Sequence, residues 1–269
     1  MLNEILSNAP VFLLIAVRAL AMIEVAPMLS SDAIPQVAKI SLALFASFTA
    51  FPAVSTQADW AMLPFIDYGP FSLGFALLII GEGIIGIIIG FFMTIVFAAF
   101  STAGQFFSLQ MGFGASETFD PLAQIENPLM GQYLNLVAML TFLVVNGFQK
   151  LFLGGFWRSL QAINIIELVT GRKALVEMIG GGLSRLFVDA IIISMPILGT
   201  LFLTSLATGL ISKAAPQINL LSEGFPISIT VAFLLILAIM PFMVEAFGRV
   251  INSGFASLQQ LYITAGGGI

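Results

Sequence analysis

Charged residues cut this chain into long uncharged runs. Nineteen uncharged residues separate Lys39 from Asp59, 34 separate Glu82 from Glu117, and 23 separate Glu126 from Lys150. Another 23 lie between Asp189 and Lys213, and 21 between Glu223 and Glu245. A helix that crosses a bilayer needs about 20 mostly apolar residues, so five runs reach or nearly reach that length. A sixth stretch, 9–29, is apolar but carries Arg18 and Glu24. The pattern predicts six main helices, near 9–29, 37–56, 71–103, 129–149, 187–211 and 227–248. The third would run roughly 50 Å at 1.5 Å per residue, beyond a hydrocarbon core of about 30 Å. It must tilt, protrude or break, and Gly81, Gly83, Gly86 and Gly90 mark where it can bend or pack closely.

Gly86 and Gly90 have the small-xxx-small spacing that lets a second backbone approach. Prolines punctuate the rest. Pro27 and Pro35 flank the first turn, Pro64 and Pro70 the second loop, and Pro121 and Pro128 a third, while Pro196 and Pro241 fall inside predicted spans. There a kink is tolerated if neighbours satisfy the freed carbonyls. Residues 150–186 are the most polar and are expected to form a connecting region of shorter amphipathic helices. Basic residues set the orientation. Lys150, Arg158, Arg172, Lys173, Arg185 and Arg249 share one side, against Lys39 and Lys213 on the other. That balance places both termini, and the 150–186 region, in the cytoplasm.

Composition agrees with a membrane protein. Hydrophobic residues make up 59% of the chain and charged residues 9%, where a soluble domain carries about 25% charged. So few charges cannot cover a water-exposed surface of this size. The expected fold is an all-α membrane protein, one integral membrane domain over 1–269, with about six long hydrophobic helices. There is no cysteine and no histidine. This excludes disulfides and thiolate metal sites and removes the commonest general base and metal ligand. No nucleophile–base pair, phosphate loop or metal cluster is evident, so no enzyme, metal or cofactor is expected. The net charge of -5 comes without a polybasic stretch, which argues against nucleic acid as a partner. The start, Met1-Leu2-Asn3-Glu4-Ile5-Leu6, lacks the positive region of a cleaved signal peptide.

Arg18, Glu24, Glu82, Asp189 and Glu245 lie in or at the edges of the predicted spans. Each is costly facing lipid. They either pair and serve assembly or carry protons or ions. Arg18 and Glu24, six residues apart, are poorly placed to pair on one straight helix.

The connector expected over 104–128 does not have the composition of an aqueous loop. Phe106, Phe107, Met111, Phe113 and Phe119 are interleaved with Gly104, Gly112 and Gly114. Glycine permits sharp backbone paths, and methionine and phenylalanine supply bulky, adaptable apolar contacts. Such a segment either obstructs a cavity, as hydrophobic constrictions do in pores, or packs between helices as a re-entrant loop.

Gln110-Met111-Gly112-Phe113, leading to Phe119-Asp120-Pro121, resembles the flagellar biosynthetic protein FliR family and its relatives, the T-type subunits of injectisomes. Ala215-Pro216-Gln217-Ile218-Asn219 and Gly224-Phe225-Pro226-Ile227 resemble it too, as do Arg18, Pro27, Pro35, Lys39 and Asn146-Gly147. The resemblance spans nearly the whole chain. It implies a non-enzymatic core subunit of the flagellar type III protein export gate in the bacterial inner (cytoplasmic) membrane, at the flagellar basal body. One copy would join P and Q subunits in a helically rising heteromeric assembly of hairpins, beside B-type and A-type export-apparatus subunits. Unfolded export substrates would pass through its centre.

The resemblance also assigns a channel plug to Phe106, Phe107, Gln110, Met111, Gly112, Phe113, Phe119, Asp120 and Pro121. Assembly contacts or helix joints would fall at Gly86, Gly90, Pro216, Gln217, Asn219, Gly224, Phe225 and Pro226, with Gly224 and Pro226 re-initiating the last helix. The alternative is an ion-coupled secondary transporter of a small solute that uses Glu82, Asp189 or Glu245.

Overall fold

The structure is a computed structural model that describes residues 8–55, 72–112, 129–163, 172–215 and 220–265. These are helical: α1 (Ala9–Val25), α2 (Gln36–Ser55), α3 (Leu73–Met111), α4 (Leu129–Val144), α5 (Gly147–Ala162), α6 (Arg172–Ala214) and α7 (Leu220–Ala265). Helix is the economical answer for such apolar segments, because it satisfies every backbone N–H and C=O without water. Among the described residues, four helices are long and apolar enough to cross a membrane: Gln36–Val54, Leu73–Met111, Leu175–Ala214 and Gly224–Thr264. The pair α4 and α5, bent by 73° between them, makes a fifth if counted as one span.

Several boundaries differ from those read in the sequence. The third helix does not end at 103 but runs 39 residues to Met111, about 59 Å at 1.5 Å per residue. Residues 105–111 contain no breaker, so the first part of the loop expected over 104–128 is helix, and Phe106, Phe107, Gln110 and Met111 are helical. The region expected to be a connector over 150–186 is helical at both of its described ends. Lys150–Trp157 is a π-helical stretch within α5, and Arg172 onward already belongs to the 43-residue α6. The last helix begins at Leu220 and continues to Ala265. Pro226 therefore lies inside it rather than in its first turn, alongside Pro241. The fourth predicted helix breaks early, where Asn146 takes a left-handed φ of 57°.

The chain divides into two compact units. The first comprises residues 1–95, 146–182 and 252–269, the second 96–145 and 183–251. In the first, α1 and α2 form an antiparallel hairpin. Phe12 meets Phe51 edge to face at one end, and Lys39 Nζ reaches Glu24 at 3.2 Å at the other. Helix α3 runs parallel to α1. Gly83 faces Val17, Gly86 faces Ala21 and Met22, Gly90 faces Met22 and Ala26, and the Thr94 hydroxyl donates to the Val25 carbonyl at 2.9 Å. Helix α5 packs on the end of α7, with Lys150 bonded to Asn252 at 2.6 Å and Tyr262 donating to the Gly155 carbonyl at 2.8 Å.

In the second unit, α3 and α4 run antiparallel and cross where Gly104 meets Gly131. A Cβ on Gly104 would lie 2.6 Å from the Gly131 nitrogen. Above the crossing, Phe97, Phe100, Phe142 and Phe247 form an aromatic cluster with ring centroids 4.5 to 5.9 Å apart. Helix α6 buries one stripe, Leu186, Ala190, Ile193, Ile197 and Leu201, while Phe187, Ile192, Phe202 and Leu206 stay exposed. Four of its hydroxyls are bonded within the helix itself. Thr200, Thr204, Ser205 and Thr208 donate to carbonyls four residues back at 2.9 to 3.0 Å.

The glycines of α6 are not equivalent. A Cβ on Gly180 meets nothing within 4 Å. Gly180→Ala is therefore expected to stabilise the chain by about 0.5–1 kcal/mol, the difference between the two residues in a helix interior. Thermal unfolding in detergent checks this, and a lowered midpoint would contradict it.

Candidate functional site at the end of the third helix

The last turns of α3 carry the residues singled out as a plug. Phe107 and Met111 are fully buried, Phe106 is half-buried and Gln110 is exposed. The helix stops because Gly112 turns away with a φ of +91°, a conformation that L side chains rarely adopt. Its N–H still donates to the Leu109 carbonyl at 3.1 Å, closing a tight last turn. The space of the missing side chain is taken by Phe225 of α7. A Cβ on Gly112 would overlap the ring carbons Cδ1 and Cε1. Two motifs more than one hundred residues apart in the chain thus touch within the second unit. Phe113, Phe119, Asp120 and Pro121 lie outside the described residues, as do Pro216, Gln217 and Asn219.

The charged positions separate into two kinds. Arg18 and Glu82 are 0% and 1% exposed and form an ion pair through the guanidinium Nε. The remaining guanidinium nitrogens donate to Ser159 Oγ at 3.2 Å and to the Ile163 carbonyl at 3.0 Å. One arginine therefore joins α1, α3 and the end of α5. Burial of a charge demands this completeness, because an unpaired one costs several kcal/mol. Glu24 accepts from Lys39 and Gln36 at the hairpin turn. Glu245, by contrast, is exposed and bonds Arg249 one turn along its own helix at 2.7 Å. Asp189 is half-buried, four residues after Arg185 on α6. Among the described residues no cluster of acids could hold a metal ion.

The model for bacterial export proteins, family 1, matches residues 9–254. The chain belongs to that family.

Several curated relatives of this export protein share one name. It is 27% identical to the flagellar biosynthetic protein FliR of Bacillus subtilis (strain 168), over 98% of this chain and 99% of the relative. It is 31% identical to that of Escherichia coli (strain K12), over 83% and 82%. With the protein of the same name from Borreliella burgdorferi it shares 34% identity, over 69% and 70%. In this export protein Gly86 and Gly90 pack against α1 of the same chain, where a Cβ on Gly90 would lie 2.8 Å from the Met22 carbonyl oxygen. Three positions that join the helices escaped sequence reading. Ser159 and the Ile163 carbonyl complete the Arg18 site, and Gly131 faces Gly104. The first two lay in a stretch read as a polar connector. Gly131 stands alone in its helix, so no spacing motif pointed to it.

Proposed function

We propose that this export protein is a non-enzymatic core subunit of the flagellar type III protein export gate, in the bacterial inner membrane at the flagellar basal body. It forms part of the channel for unfolded export substrates, together with P and Q subunits and beside the B-type and A-type subunits. The chain that leaves α3 after Gly112, carrying Phe113, Phe119, Asp120 and Pro121, acts as the plug. The observation that carries this reading is the meeting of Gly112 with Phe225. It brings two stretches that carry the family resemblance together at the root of the proposed plug. Phe107 and Met111 anchor that root rather than occlude the channel, because both are fully buried in the second unit.

Coexpression with P and Q subunits and native mass spectrometry test the assembly. One copy of this chain in a heteromeric complex is expected, and a monomer or homodimer indifferent to P and Q would overturn it. In the assembled complex, Phe113→Ala with Phe119→Ala should leave assembly intact and make the closed gate leak ions. Unchanged conductance in a correctly assembled complex would remove the plug assignment.

A further inference from the structure

A π-helix is rare and is mostly confined to a single turn inside an α-helix, often at a functional site. In α5 it runs for eight residues, Lys150–Trp157. Contacts from outside the helix must hold it. Its junction with the α-helical end is well defined. The Arg158 N–H donates to the Leu153 carbonyl, five residues back, and also to the Gly155 carbonyl. That second carbonyl accepts from the Tyr262 hydroxyl of α7 at 2.8 Å, and both residues are buried. Gly155 admits the neighbouring helices, because a Cβ there would lie 3.3 Å from Ile89 Cγ2 of α3 and 3.9 Å from Leu258 Cδ2 of α7. Leu258 lies one turn before Tyr262, so the same close approach seats the phenol on the junction.

Beyond the junction, the next residues serve Arg18. Ser159 Oγ donates to the Phe156 carbonyl at 2.7 Å and accepts from the guanidinium at 3.2 Å. The Ile163 carbonyl accepts from the guanidinium at 3.0 Å. These acceptors meet Arg18 in one register of α5. A slip of one residue turns a helix by about 100° and brings Arg158 or Leu160 to where Ser159 stands. Neither side chain offers an acceptor. Loss of the π-helical stretch is such a slip, because it expels the extra residue that the wider turn holds.

We infer that α5 carries a register lock: the Tyr262 hydroxyl pins the π-to-α junction at Gly155 and so keeps Ser159 and the Ile163 carbonyl within reach of Arg18. Tyr262 is a positioning residue that acts on Arg18 through α5. The lock goes beyond the export-gate reading and does not depend on it. It ties the last turns of α7 to the Arg18–Glu82 pair between α1 and α3. Displacement of those turns releases α5 and takes two acceptors from a buried guanidinium, so the two sites respond as one.

The chain lacks cysteine, so a single introduced thiol reports on one position. Leu160→Cys places it on a buried residue past the junction, and Ala50→Cys on a buried residue of α2 that takes no part in the lock. Maleimide labelling of the full chain in detergent is compared with and without Tyr262→Phe. That substitution is expected to speed labelling at position 160 about tenfold, the scale of one lost buried hydrogen bond, and to leave position 50 unchanged. Ser159→Ala, which loosens the lock on its other side, should do the same. Equal acceleration at both positions means that the hydroxyl serves overall stability alone, and overturns the lock. An unchanged rate at position 160 overturns it as well. If a cysteine variant does not fold, hydrogen exchange of the cysteine-free chain decides. Tyr262→Phe should then speed exchange over residues 158–163 and not over 36–55, and a uniform or absent change sinks the assignment.

Discussion

Arg18→Ala lowers the stability of the chain by about 3–5 kcal/mol, the usual effect of removing one partner from a buried ion pair. The Glu82 carboxylate is 1% exposed and is left without its counter-charge in an apolar surround. Ser159 Oγ and the Ile163 carbonyl lose their donors at the same time. Arg18→Lys recovers only part of this, because a single ammonium cannot reproduce a planar fork directed at three separate acceptors. Replacing both charges, Arg18→Met with Glu82→Leu, should restore most of the loss, since matched apolar side chains often substitute for a buried pair without penalty. Denaturant titration in detergent measures all three variants. If Arg18→Ala costs less than about 1 kcal/mol, the range of exposed pairs, the pair does not have the role described here.

Gly86→Leu is expected to be comparably severe, at about 3 kcal/mol or more, the upper end of overpacking effects. Even a bare Cβ at this position would overlap the Arg18 carbonyl oxygen and lie 2.9 Å from Ala21 Cβ and 3.0 Å from the Met22 nitrogen. These are mostly backbone atoms, which cannot swing aside as a flexible side chain would. Helix α1 must move away from α3, and because Arg18 sits at this crossing, its reach to Glu82 is disturbed as well. Gly83 provides the contrast. Its Cβ would sit 3.6 Å from Val17 Cγ1, an ordinary contact, so Gly83→Ala should be neutral or stabilising by up to about 1 kcal/mol. Thermal unfolding of the two variants side by side checks the geometry. Equal midpoints would contradict the close crossing at Gly86.

The two cases show where sequence reasoning reached and where it stopped. The spacing of Gly86 and Gly90 signalled a close backbone approach, because small residues one turn apart on an apolar helix leave a groove. That the groove holds α1 of the same chain was not readable, since the helix that fills it is more than sixty residues away in sequence. Arg18 was legible as a charge that must find a partner. Glu82, 64 positions on, stood in the same set of candidates as Glu24, Asp189 and Glu245, with nothing local to choose among them. Ser159 was passed over because the stretch around it looked polar, whereas α5 turns that face inward and buries it.

Helix ends were misplaced for a related reason. Hydropathy tells how long a segment stays apolar, and it placed the third helix's end near 103. The helix actually stops where glycine permits a positive φ, at Gly112. Likewise Pro226 suggested a first turn by its preference for that position, yet α7 begins six residues earlier. Proline weakens a helix interior, but it does not forbid one where surrounding packing holds the turn.

The sequence by itself determined that this is an all-helical membrane protein, where its apolar segments lie, and which charges fall in or at the edges of them. These follow from local quantities: the free energy of placing each residue in an apolar medium, and the requirement that each backbone group be bonded within its own segment. Only the tertiary structure decided that Arg18 pairs with Glu82 and Ser159, that Gly104 crosses Gly131, and that Phe225 covers Gly112. Those pairings join residues far apart in the chain, and their energy depends on shape and distance across helices, which composition and spacing do not encode.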